Sequence, residues 1–311
     1  GGRGVQGASS REEDFVEHLF VANTHSYILF FTDKGKCYWV KVYDIPEGGR
    51  AAKGRAIVNL IGCEPDEKVS AFISVKEFNE DHYVVMATEK GMVKKTKLSA
   101  YSNPRKKGIY AVEIRDGDKL IEARVSTGDN DILLGTRNGK SIRFSEEQIR
   151  ASGRKTMGVK GITLSSEDDR LVGMLLIKRE GTVLVATEKG FGKRTEISQY
   201  RAQKRGGKGV LTMKTTDKVG KMVTIKEVVD KDDLMIITNQ GVLIRLPVAQ
   251  IRSIGRATQG VKLIKLGEGT LVSSITRIMS EEEEDENNNT ESTDLKDCLL
   301  YTSPSPRDGS E

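Results

Sequence analysis

The chain has 311 residues, 37% of them hydrophobic, which is enough to bury a sizeable core as one large or two ordinary domains. No run of eighteen apolar residues and no N-terminal apolar signal segment is present, so no helical membrane span and no secretion are expected; three distant cysteines, Cys37, Cys63 and Cys298, argue against a disulfide framework or a cysteine zinc site and suit a reducing cytoplasm. The net charge of +5 hides an asymmetry, because residues from Ser280 onward carry eleven acidic and two basic groups and the first 279 residues a net +14. A basic body with an acidic tail points to a polyanion partner and a tail able to compete for it; a merely soluble surface is the alternative.

In chain order, the opening stretch GGRGVQGASSREEDFVEHLF parallels GGKGVLTMKTTDKVGKMVTI at residues 206–225, so the chain is expected to open midway through a repeat. Five segments then share one grammar: FFTDKGKCYWV, VMATEKGMVKK, LLGTRNGKSIR, LVATEKGFGKR and IITNQGVLIR. Each is an apolar run, then T-x-x-G, then a short extended run. The threonines are Thr32, Thr88, Thr136, Thr187 and Thr238; the glycines are Gly35, Gly91, Gly139, Gly190 and Gly241. This predicts five hairpins whose turns end on a glycine able to adopt positive φ.

A second glycine follows in every unit, Gly54, Gly108, Gly158, Gly209 and Gly260, and two further extended stretches come after it. Each unit of about 50 residues thus offers four short strands, and no long stretch shows helical periodicity. Such units suit blades around an axis, since closing a ring protects strand edges. Five whole units and one half predict an all-β, six-bladed ring over residues 1–279, with a half blade at 1–20 and an acidic, disordered tail at 280–311. The abrupt final stretch CLLYTSPSPRDGSE reads as cloning-derived.

Basic residues recur at two places in the unit. One set follows the hairpin glycine: Lys36, Lys94, Lys95, Lys140, Arg143, Lys193, Arg194 and Arg245. The other lies before the second glycine: Arg50, Lys53, Arg105, Lys106, Lys107, Arg154, Lys155, Lys204, Arg205, Lys208, Arg252 and Arg256. Charge repeated at equivalent places becomes a basic band, which suits sequence-blind phosphate binding. Contact with roughly 8–10 phosphates would give steep salt dependence, and bending duplex DNA round a convex band would cost on the order of several kcal/mol. Aromatic residues, at 5%, are too sparse for a base-stacking platform, so duplex DNA is favoured over single strands. Lys- and Arg-rich exposed loops without a ligand are the alternative.

The run QKRGGKG, Gln203 to Gly209, sits in the basic connector of the fourth unit; its glycines Gly206, Gly207 and Gly209 would let backbone N–H groups approach an anion. It resembles the Q-R-R-G-G-K-G box of the C-terminal DNA-wrapping domain of the DNA gyrase A subunit. EDFVEHLFVANTHSYILFFTDKG, RAIVNLI, ATEKGMVKKT and EKGFGKRTEISQYRAQ are similar to stretches of the same family, and the likeness covers roughly residues 1–279. The resemblance implies a six-bladed β-pinwheel, its first blade truncated here, with duplex DNA wrapped on a basic perimeter so that ATP-driven strand passage introduces negative supercoils. It implies no catalytic residue in this segment and no cofactor here (ATP and Mg only in the holoenzyme). It also implies a monomeric domain whose partners are the gyrase B subunit together with the rest of the A subunit, in a cytoplasmic, nucleoid-associated location. One departure stands out. The family's usual box position is occupied by GGRG at the chain start, where Arg3 fits the box lysine, and the intact copy lies four blades later.

Other motifs carry less. GTRNGKS at 135–141 is one residue short of a phosphate-binding P-loop and is followed by a strand pattern instead of a helix. His18, His25 and His82 have no ligand spacing. Ile45, Tyr101, Ile149, Tyr200 and Ile251 recur at one register and read as packing anchors. The rival readings are the topoisomerase IV C-terminal domain, which also binds DNA, and a protein-interaction propeller of the kelch kind, whose paired glycines and aromatics do not recur here.

Overall fold

The computed structural model describes residues 5–6, 26–41 and 61–278. Among these, twenty strands form five four-stranded antiparallel sheets. The first sheet holds β2 (Tyr27–Thr32), β3 (Lys36–Lys41), β4 (Val69–Val75) and β7 (Ile109–Tyr110), in the order β4-β2-β3-β7. The second holds β5 (Tyr83–Thr88), β6 (Met92–Lys97), β8 (Leu120–Ser126) and β11 (Val159–Lys160). The third holds β9 (Asp131–Thr136), β10 (Lys140–Ser145), β12 (Leu171–Ile177) and β15 (Val210–Leu211). The fourth holds β13 (Thr182–Thr187), β14 (Phe191–Glu196), β16 (Met222–Val228) and β19 (Val261–Lys262). The fifth holds β17 (Asp233–Thr238), β18 (Val242–Pro247), β20 (Val272–Ile278) and β1 (Val5–Gln6).

In every sheet a hairpin and an inner strand come from one unit. In the first four sheets the two-residue outer strand comes from the connector of the next unit. The inner strands β4, β8, β12, β16 and β20 pack against each other in succession, giving a propeller-like array. The expectation of six blades is corrected here, because the described residues form five. The strand of the N-terminal half unit, β1, pairs Val5 with Leu243 and Gln6 with Val242, and so completes the fifth sheet rather than a sheet of its own. Residues 279–311, including the acidic tail, lie outside the described residues, as do Ile45, His18 and His25.

The T-x-x-G grammar is explained by hydrogen bonds. In all five turns the glycine N–H donates to the threonine carbonyl, at 3.0–3.1 Å. The threonine Oγ1 accepts the N–H four residues on, at 3.1–3.4 Å, in Lys36, Met92, Lys140, Phe191 and Val242. A threonine thus caps its own turn with a side chain that is almost wholly buried. Each inner strand also shifts register at this threonine, which adds local twist. The turn then ties one unit to the next. Gly139 O accepts the N–H groups of Thr212 (2.8 Å) and Met213 (3.2 Å), and Arg137 O accepts from Met222 N at 2.9 Å. The same bonds recur at Gly35, Gly91 and Gly190. The P-loop look-alike at 135–141 is this hairpin turn, with β10 starting at Lys140.

The apolar runs lie in middle strands buried on both faces, which is why they read as continuous rather than alternating. Val84 and Met86 face the first sheet while Val85 and Ala87 face the third, so the core is divided into layers between neighbouring sheets. Tyr101, Ile149, Tyr200 and Ile251 are buried in these layers, each ending or following a one-turn 3-10 helix that the sequence patterns do not announce.

Two substitutions test this account of the turn. Thr136→Val removes the acceptor but keeps the shape, and should cost roughly 1 kcal/mol. At Gly139, φ is +90° and a Cβ would stand 2.1 Å from Met213 O, so Gly139→Ala should cost at least about 2 kcal/mol. Urea unfolding of the two variants reads both, and equal small effects would contradict it.

Candidate nucleic-acid interface

The basic residues on the hairpin strands and those on the connectors have different fates. The side chains of Lys94 and Lys95 leave β6 on opposite faces, and both are buried. Lys94 Nζ donates to Ala111 O (2.8 Å) and Arg154 O (2.7 Å). Lys95 Nζ donates to Glu146 O at 3.1 Å and lies over the Tyr83 ring. Lys193, 0% exposed, donates to the carbonyls of Gly255 (2.9 Å), Arg256 and Thr258 (3.2 Å). Arg194 is buried against Thr182 Oγ1 (2.7 Å), Asp230 (2.6 Å) and Val248 O (3.4 Å). Arg143, half-buried, bonds Asp131 at 2.8 Å and the carbonyls of Ile197 and Tyr200. Lys36 pairs with buried Glu67 at 3.7 Å, and Arg245 pairs with Asp233.

The expectation that the whole strand set lines a DNA surface is therefore corrected. Lys94, Lys95, Lys193 and Arg194 are internal clamps. They hold the carbonyl-rich connector of the following unit, which desolvation alone would not permit a charge to do. Burial, and after it the guanidinium groups of Arg154 and Arg256, together bring the ammonium groups of Lys94 and Lys193 down to about 8.

On the connectors, Arg105, Lys106, Lys107, Lys155, Lys204, Lys208 and Arg252 are exposed. Lys155 stands over the ring of Tyr110, itself 52% exposed on outer strand β7. Lys140 is half-buried. Arg3, Arg50 and Lys53 lie outside the described residues. Four further exposed cations at the same registers escape the sequence reading: Arg150 and Arg201 follow the buried anchor as Arg252 does, while Lys160 and Lys262 end outer strands. Their equal offsets within the unit were the available signal.

The run at Gln203–Gly209 is a held loop, not a free one. Gln203 N donates to Arg143 O (2.7 Å), and Gln203 O accepts from Gln148 Nε2. Arg205 bonds Gln148 through its own N–H (2.8 Å) and its Nε (3.0 Å). Gly206 N donates to Gly161 O at 2.8 Å, and Gly207 O accepts from Thr163 N at 2.9 Å. Gly209, at φ +73°, leaves no room for a side chain, since a Cβ would stand 2.2 Å from Ser141 O. Lys204 and Lys208 are left exposed on this scaffold. Among the described residues no group of His, Cys, Asp and Glu is arranged to hold a metal ion.

The family model described as "DNA gyrase C-terminal domain, beta-propeller" matches residues 26–76, 82–127, 130–178, 181–228 and 232–278, one match per repeating unit. The chain belongs to the DNA gyrase C-terminal domain family. The DNA gyrase A subunit of Staphylococcus epidermidis is 46% identical over 285 residues, covering 91% of this chain and 32% of that protein. Its counterpart in Staphylococcus aureus is 45% identical over 296 residues, 94% of this chain and 33% of its own length. The chain thus spans about a third of the curated relatives it matches. A solved gyrase A C-terminal domain superposes with a TM-score of 0.72 at 23% identity, covering 83% of this chain and 84% of that one, a likeness of fold. The C-terminal domain of DNA topoisomerase IV superposes with a TM-score of 0.78 at 25% identity, over 89% and 83%. A gyrase C-terminal family member thus keeps its cations in two populations, one internal and one on the connectors.

The buried lysines give a pH test. Their folded value of about 8 lies below the ordinary 10.5, so between those values the unfolded chain binds more protons and the stability contributed at each site rises with pH. Unfolding free energies of the chain and of Lys193→Met, measured between about pH 7.5 and 10, should diverge in favour of the lysine form as pH rises. A pH-independent difference would show that this amine titrates normally.

Proposed function

We propose that this chain binds duplex DNA without sequence preference and wraps it with one handedness around the outer edge of its blades. The observation that carries the reading is the recurrence of exposed cationic connectors at equivalent places in successive units, Arg105 to Lys107, Arg150 and Lys155, Lys204 and Lys208, then Arg252 and Lys262. Phosphate contacts of this kind position DNA and bind it, and they carry no sequence information. The exchange of outer strands supports a β-pinwheel, and membership of the gyrase C-terminal family supports the wrapping role.

On this reading the chain is the DNA-wrapping part of the gyrase A subunit within residues 1–279, followed by an acidic tail at 280–311. It works in an ATP-dependent type IIA topoisomerase, together with the B subunit, the remainder of its own polypeptide and the duplex. It contributes no catalytic residue and needs no cofactor of its own, and its place is the bacterial cytoplasm, on the nucleoid. Curated gyrase A relatives matching over nine-tenths of the chain favour this reading over topoisomerase IV, whose C-terminal domain shares the fold at 25% identity.

Ligating nicked circular DNA in the presence of the chain tests the reading. Wrapping leaves a linking-number shift of one sign after the protein is removed. Binding without a shift would reduce the chain to a basic patch, and no binding would favour a protein-interaction module. With roughly 8–10 phosphates engaged, log affinity should fall against log salt with a slope of about −7 to −9. Replacing Arg105, Lys106 and Lys107 by glutamine should lessen that slope by about 2–3 and leave the melting temperature unchanged. An unchanged slope would remove these residues from the interface.

A further inference from the structure

Three of the cations on the connectors do not simply face solvent. Arg154, Arg205 and Arg256 each stand five residues after a buried anchor, Ile149, Tyr200 or Ile251. Each sends Nη1 to the carbonyl of the last residue of the outer strand one unit earlier. Arg154 reaches Tyr110 O at 3.2 Å, Arg205 reaches Lys160 O at 2.7 Å, and Arg256 reaches Leu211 O. The contact repeats at the same register in all three, so it belongs to the architecture and not to chance packing of one side chain.

The main chain of each arginine is also fixed. Lys94 Nζ holds Arg154 O at 2.7 Å, and Lys193 Nζ holds Arg256 O. Gln148 Oε1 accepts Arg205 N at 2.8 Å, and Gln199 Oε1 accepts Arg256 N at 3.1 Å. The third sheet carries Ile142 where its neighbours carry Lys94 and Lys193, so the Arg205 loop has no lysine at this register. There Arg205 spans two carbonyls instead, with Nε on Gln148 O at 3.0 Å and Nη1 on Lys160 O. A guanidinium serves two carbonyls from two separate nitrogens at fixed angles, whereas an ammonium serves only acceptors that converge on one nitrogen, as they do at Lys94 and Lys193.

We infer that Arg154, Arg205 and Arg256 are positioning residues that set the spacing of successive cationic connectors, and through it the handedness of the DNA path rather than the strength of binding. The inference rests on the wrapping function proposed above. The arginines act through the outer strands and connectors they join, while Lys204, Lys208 and their equivalents face the phosphates. Affinity follows the number of cations presented, whereas the sense of the wrap follows how the connectors are placed along the edge. Changing an arginine that only places them should separate the two.

Arg205→Lys in the full chain keeps the charge and removes the two-carbonyl bridge. The expected result is a salt slope unchanged from the parent, an affinity within about twofold, and a linking-number shift per bound chain reduced by half or more. Lys208→Gln reads the opposite quantity: as the loss of a direct phosphate contact, it should lessen the salt slope by about 1. Retention of the full shift by Arg205→Lys overturns the inference, as does a slope lessened by about 1 with the shift intact, which would mark a direct phosphate contact. Should Arg205→Lys fail to fold, Arg154→Lys decides in its place. It keeps the charge and removes the Nη1 bond to Tyr110 O, so loss of the shift at constant slope supports the inference and an unchanged shift sinks it. If the parent chain itself gives no shift, the wrapping reading falls instead.

Discussion

Among the described residues no sheet is completed by its own unit. A hairpin and an inner strand leave an open outer edge, covered in the first four sheets by two residues from the following connector and in the fifth by β1. Two residues make a weak ladder by themselves, so the hand-over depends on what surrounds it. The hairpin-turn glycine accepts the amides just past the borrowed strand, and a neighbouring turn carbonyl accepts the first amide of the next inner strand. The cores follow the same rule. Each apolar layer is formed by two sheets, so one unit alone buries only half of a layer. Stability in such an array is shared between neighbours, as in other repeat architectures.

Burying lysines in a basic protein looks unfavourable until their surroundings are considered. A connector that crosses a sheet edge presents several carbonyls to the interior, and these need donors. Lys94 and Lys193 meet them with one ammonium each, a compact group with three donors that suits converging acceptors. The third sheet solves the same problem differently. Ile142 supplies no donor, and the loop above it carries Gly206 and Gly207, which lie close enough for backbone groups of Thr163 and Gly161 to pair with it. Gly206 is required by its φ of +85°, whereas a Cβ at either glycine would find its nearest neighbour at 3.5 Å, so close packing alone does not demand the pair.

The repeat was legible because its cause is local. A threonine that caps its own turn, and a glycine at positive φ three residues on, must recur wherever that turn recurs. Doubly buried middle strands announced themselves as unbroken apolar runs, and the anchors Tyr101 to Ile251 by their constant register. The exchange of outer strands was not legible, since a two-residue strand such as Val159–Lys160 holds no pattern to name its partner. The fate of the strand cations was misread for a related reason. Charge was equated with exposure, yet strand alternation already forbade it: adjacent Lys94 and Lys95 must leave β6 on opposite faces, and both faces are covered. Arg150, Arg201, Lys160 and Lys262 were missed although they share registers with residues that were chosen.

The two populations of cations answer different demands of the proposed wrap. Duplex DNA is stiff, and curving it over a few helical turns costs on the order of several kcal/mol, so contacts must be placed where the bent path puts the phosphates. Exposed lysines on mobile stems tolerate misplacement of about an ångström or two, and they supply attraction by number. A path with one sense does not tolerate misplacement of the connectors themselves, because errors between neighbouring blades accumulate along the edge. Internal lysines, threonine-capped turns and arginine bridges all limit that error at the junctions between units, using hydrogen bonds to backbone carbonyls that do not change with salt. Attraction can then weaken with ionic strength while the geometry of the edge stays as it was.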